Sequence, residues 1–117
     1  MGLPIYDRDF TEQEIEFGFD QFVQRVNKKI SDHYTTKFPT LSPESIGVKS
    51  GRVYWKLVRV DSSGDPRSVY CFVRKADGAI LKAATYKAPA LNQARGFVTD
   101  ADYGLHCAGP YGVAYLI

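Results

Sequence analysis

The sequence predicts an α+β fold: an N-terminal amphipathic helix packed on an antiparallel β-meander of three to five strands, then a short helix and an irregular, aromatic C-terminal segment. Three observations predict it. Between Arg52 and Ala84, segments rich in β-branched and aromatic residues alternate with clusters of turn formers. Ahead of them, apolar residues recur at helical spacing from Ile15 to Ile30. After Ala84 both periodicities stop, while aromatic residues continue to the end of the chain.

The helix has a start signal, a stripe and a stop. Residues 1–10 carry Pro4 and two aspartates and read as an arm. Thr11-Glu-Gln-Glu14 fits a capping box, in which each side chain accepts from the other residue's backbone. Ile15, Phe19, Phe22, Val23, Val26 and Ile30 then fall on one stripe. Gly18 interrupts it at a cost of up to about 1 kcal/mol relative to alanine. The span expected is Thr11 to about Tyr34, with Pro39 and Pro43 breaking the chain beyond it.

Glu44–Lys49 is expected to be a short edge strand, turned through Ser50-Gly51 into Arg52–Val60. Along that second strand Val53, Trp55 and Leu57 share one face, and Tyr54, Lys56 and Val58 the other. The second face is mixed, so one side of the sheet should be half-exposed. Asp61–Pro66 is a loop of turn formers leading to Ser68–Arg74. Asp77-Gly78 supplies the positive φ of a tight turn into Ala79–Ala84. Tyr86–Gly96 is expected to hold a short helix, with Pro89 near its first position and Gly96 past its end. Gly109–Ile117 reads as a turn and a last short strand.

At 117 residues the chain suits one domain, 1–117, and its 44% hydrophobic content suits a packed core. No apolar run reaches the roughly 18 residues of a membrane span, and the start has no export signal. A cytoplasmic protein is expected. Cys71 and Cys107 are expected to be free thiols. Net charge is +2, too small to indicate nucleic acid by itself, but the charges are unevenly placed. The first twenty residues hold six acids (Asp7, Asp9, Glu12, Glu14, Glu16, Asp20) against Arg8. From Lys49 to Arg95 ten cations face only Asp61, Asp65 and Asp77.

The candidate binding residues are Lys82, Tyr86, Lys87, Asn92 and Arg95. Two ammonium groups at a strand end, beside the N-terminal amides of a short helix and a guanidinium at its close, suit a phosphate or a nucleic-acid backbone. Tyr86 would stack on a base. The competing reading is solvated side chains around an ordinary turn, and the Gly-rich phosphate-loop signatures are absent. His106-Cys107 lacks the partners of a zinc site or a nucleophile pair, and Asp100 and Asp102 suit a solvated loop better than Mg²⁺. No catalytic residue, no metal and no cofactor is expected.

The run Val69–Val73, then Asp77–Ala84, Lys87–Ala90, Ala94–Gly96 and Gly109–Gly112 resembles a group of small uncharacterised proteins of tailed bacteriophages, over about residues 52–116. The resemblance implies a phage product acting in an infected bacterium, in the host cytoplasm: a virion part, a nucleic-acid handler or an inhibitor of a host system. The expected function is a non-enzymatic binding protein that contacts nucleic acid or another polyanion. The alternative is an accessory protein that binds and inhibits a host protein through its aromatic surface and acidic helix start.

Overall fold

The computed structural model describes residues 10–113. Its elements are one long helix, α1 (Glu12–Lys37), and five strands, β1 (Ser45–Ser50), β2 (Tyr54–Val60), β3 (Pro66–Arg74), β4 (Ala79–Leu81) and β5 (Gly96–Phe97). A 3₁₀ turn follows at Leu105–Cys107. The strands lie in chain order in one antiparallel sheet. The expected α+β meander is therefore present, at five strands. The expected arm falls on residues 1–9 and the end of the expected last strand on 114–117, outside the described residues; Val113 bridges to Ala108.

The capping box forms as expected. Thr11 Oγ1 accepts from the Glu14 N–H at 3.1 Å, and Glu14 Oε1 from the Thr11 N–H at 3.0 Å. Ile15, Gly18, Phe19, Phe22, Val26 and Ile30 are buried. The helix runs three residues past Tyr34, because Thr35 is absorbed by a hydroxyl bond to the Ser31 carbonyl at 3.0 Å. Phe38, held out of helical geometry by Pro39, ends it.

The helix covers the sheet face that carries Ile46, Leu57, Cys71, Val73 and Ile80, with Phe19 stacked on Trp55 at 4.1 Å between ring centroids. Between β2 and β3 the register jumps: Leu57 pairs with Cys71 and Val58 with Val69, leaving Tyr70 as a bulge residue. Tyr70 is buried in the helix-side cluster and donates its hydroxyl to the Gly109 carbonyl at 2.6 Å. Burial pushes the Tyr70 hydroxyl's pKa up. Two lysines also hold the C-terminal segment on this side. Lys29 donates to the Leu105 and Ala108 carbonyls at 3.1 and 3.0 Å, and Lys82 to the Val113 carbonyl at 3.1 Å.

The opposite face is divided. Over β3 and β4, residues 83–97 fold back and bury Phe72, Ala79 and Leu81 beneath Ala83, Ala94 and Phe97. Over β2 the cover is partial: Val58 is buried and the Tyr86 ring lies against half-buried Lys56, while Lys49 of β1 is exposed. The expected short helix does not form in residues 86–96. The Ala90 N–H donates to the Lys82 carbonyl at 2.7 Å and the Arg95 N–H to the Ile80 carbonyl at 2.8 Å. Ala83 bridges to Pro89, and Thr85 Oγ1 accepts from the N–H groups of Lys87 and Ala88. Backbone donors that a helix would use internally extend the sheet edge instead, so no helix N-terminus is available to an anion.

A buried ion pair closes the β3–β4 turn. Arg74 and Asp77 are 4% and 3% exposed. Arg74 Nε reaches Asp77 Oδ1 at 3.0 Å and Nη2 reaches Oδ2 at 2.6 Å, while Oδ1 also accepts from the Ala79 N–H. Gly78, at φ 73°, completes the turn read from Asp77-Gly78.

Candidate nucleic-acid interface

The candidate site is the open half of the second sheet face. Strand pairing places Lys49 of β1 directly opposite Lys56 of β2. Directly opposed like charges destabilise a sheet unless an anion lies between or beside them. Phe72 of β3 pairs with Lys56 on its other side, so the two cations border an aromatic floor. A groove of about 260 Å³ runs here, lined by Lys49, Arg52, Tyr54, Lys56, Phe72 and Lys87 among others, with no acidic residue in its lining. Lys49, Arg52, Lys56 and Lys87 make no ion pair among the described residues.

Of the five residues expected from sequence, the fold brings two to this face. Lys87 lines the groove. Tyr86, 46% exposed, holds its ring 3.5 Å from Lys56 Nζ, a cation–π contact. The other three are used differently. Lys82 bonds the Val113 carbonyl. Asn92 Oδ1 accepts from the Gln93 N–H at 2.8 Å and from Arg95 Nη1 at 2.9 Å. Arg95 Nη1 also reaches the Gln93 carbonyl at 2.7 Å, so this pair folds onto its own loop.

Sequence reasoning missed Lys49, Arg52 and Lys56 as site residues. The hairpin turns through residues 51–54 and is centred on Arg52-Val53, which pairs position 49 with position 56. The turn expected at Ser50-Gly51 pairs 49 with 52 instead, so the sequence reading did not bring the two lysines together.

The chemistry-bearing residues near the C-terminus are engaged in structure. Asp100, Asp102 and His106 bring ligand-type atoms within 4.8 Å of one another. Their carboxylates hold the loop: Asp100 Oδ2 accepts from the Phe97 N–H, and Asp102 accepts from the N–H groups of Gly104 and His106 and contacts the His106 ring. Burial raises the Asp102 carboxyl's pKa, but these hydrogen bonds outweigh it and leave the group below its ordinary value. Cys107 donates its thiol to the Gly104 carbonyl at 3.1 Å. Burial, aided by Asp100 and Asp102, pushes that thiol up to about 11. Cys71 is raised too, first by burial.

A protein-family model described as a family of unknown function (DUF7717) matches residues 8–110. No curated protein and no solved structure matches the chain.

Proposed function

The chain therefore belongs to a family of unknown function, and we propose that this member is a non-enzymatic binding protein that takes nucleic acid, or another polyanion, on the open half of its sheet. The observation that carries this reading is the direct pairing of Lys49 with Lys56. A fold does not gain by opposing two ammonium groups across a ladder, whereas a phosphate beside them turns the repulsion into two charge-assisted contacts. Arg52 and Lys87 extend the cationic rim, and Tyr54 and Tyr86 supply aromatic surface. The buried, proton-retaining Cys107 thiol is no nucleophile, which supports the non-enzymatic reading. The sequence resemblance to tailed-phage proteins supports a setting in the cytoplasm of an infected bacterium.

The test is binding of fluorescein-labelled oligonucleotides followed across salt. Four phosphate contacts imply a log–log slope of about −2.8 on a single strand and about −3.6 on duplex. Changing Lys49, Lys56 and Lys87 together to alanine should flatten the slope to about a quarter of its value. Failure of the parent protein to bind at low salt, or an unchanged slope in the triple variant, would end this proposal.

A second reading has its own observation. Phe10 and Phe17 are 39% and 57% exposed at the acidic start of α1, beside a cavity of about 320 Å³ lined also by Gly18, Val98 and Tyr103. Such a patch supports binding of a host protein. Capture from bacterial lysate that is lost in Phe17→Ser, but kept in the lysine triple variant, is the result this reading requires.

A further inference from the structure

We infer that the polyanion is a single strand, held with one base stacked on Tyr86 and its backbone running from the Lys49–Lys56 groove into a second groove that ends at Arg67. This rests on the proposed function and names the ligand class within it.

Tyr86 stands at a junction. On one side its ring carries Lys56, a lining residue of the first groove. On the other, Tyr86 itself lines a second groove of about 300 Å³ with Arg67, Ser68, Val69, Ala83 and Thr85. Lys49, Arg52, Lys56 and Lys87 thus lie before an exposed aromatic ring and a further cation after it. Arg67 is 63% exposed and only 3.9 Å from its nearest carboxylate, on Asp61, a loose contact that leaves it available. A cationic track crossed by an aromatic ridge is what a flexible strand with unpaired bases fits. Duplex does not fit the ridge, because its base faces are already stacked on one another.

The Lys56–Tyr86 contact gives the exchange a mechanism. A phosphate entering the first groove offers the Lys56 ammonium a charge-assisted hydrogen bond, which is stronger than a partly exposed cation–π contact. Lys56 then leaves the ring, and the uncovered π-face takes the adjacent base. The ring's polar tip is not needed for stacking, since every base presents a π-face to any aromatic surface.

The experiment uses the full chain with labelled oligo-dT, a duplex of equal length, and inorganic polyphosphate as competitor. Single strand should bind more tightly than duplex. Tyr86→Ala should weaken oligo-dT about tenfold or more at constant salt slope, and Tyr86→Phe should bind within about twofold of the parent. With Arg67 a single strand makes five contacts, a slope of about −3.5 in place of about −2.8, and Arg67→Ala should return it to about −2.8. Tyr86→Trp adds a readout independent of affinity: oligo-dT should quench the new indole's fluorescence and polyphosphate should not. Should Tyr86→Ala bind like the parent while the lysine triple variant loses binding, the polyanion reading survives and the stacking inference falls. Equal binding of duplex and single strand, or quenching by polyphosphate, has the same meaning. Absence of binding to all three probes overturns both.

Discussion

The backbone of Gly18 lies against the carbonyl of Val98: a β-carbon at Gly18 would fall 2.2 Å from that oxygen. By helix propensity alone, Gly18→Ala should stabilise α1 by up to about 1 kcal/mol. The close approach reverses the sign, because overpacking against fixed backbone costs about 1–3 kcal/mol. The expected outcome in urea unfolding is a net loss of up to about 2 kcal/mol. A variant more stable than the parent would show that the loop at Val98 does not dock on the helix.

Arg74 and Asp77 make a second test, since a buried pair is costly to break from one side. Arg74→Met and Asp77→Asn should each lose about 3–5 kcal/mol by removing one side of this buried ion pair. The double variant should recover part of that loss, because neither charge then remains. Additive losses in the double variant, measured by the same denaturant titration, would mean that the two residues act separately.

Lys82 and Lys87 were grouped by sequence, and the fold gives them different tasks. Lys82→Ala removes a charge-assisted bond to the Val113 carbonyl and should lower stability by about 1 kcal/mol, a melting shift of a few degrees. Lys87→Ala removes an exposed groove cation and should stay within about 0.5 kcal/mol while weakening polyanion binding. Melting curves and salt-dependent binding on both variants decide the matter, and a reversal of the two patterns would reject the assignment.

The thiols give a pH prediction. Cys107 has its pKa raised from an ordinary 9.0 to about 11, chiefly by burial. The unfolded chain then loses the proton first as pH rises, so the thiol's contribution to stability is complete below about pH 9 and is lost on the way to about pH 11. The parent should lose more stability over that window than Cys107→Ala does. At pH 8 both cysteines should react with iodoacetamide only as fast as the protein unfolds. Rapid alkylation of the folded protein would contradict the burial of both side chains.

The sequence by itself determined the helix, its capping box and buried stripe, the three strands of the meander and the glycine turn at Gly78. These rest on periodicity and turn chemistry, which act between residues a few positions apart. β5 was not legible, because two residues are too few to show a period. Residues 86–96 have the punctuation of a helix, and only the tertiary structure decided otherwise, because the edge of β4 offers their N–H groups carbonyl partners from outside the segment. The same holds for the candidate site. Tyr86 and Lys87 were legible as a basic, aromatic pair. That Lys82 is spent on Val113, and that Lys49 meets Lys56 beside them, depends on groups brought together across the fold. A lysine's role follows from the carbonyl, ring or cation it meets, and those neighbours are set by strand register and chain return rather than by its own surroundings in sequence.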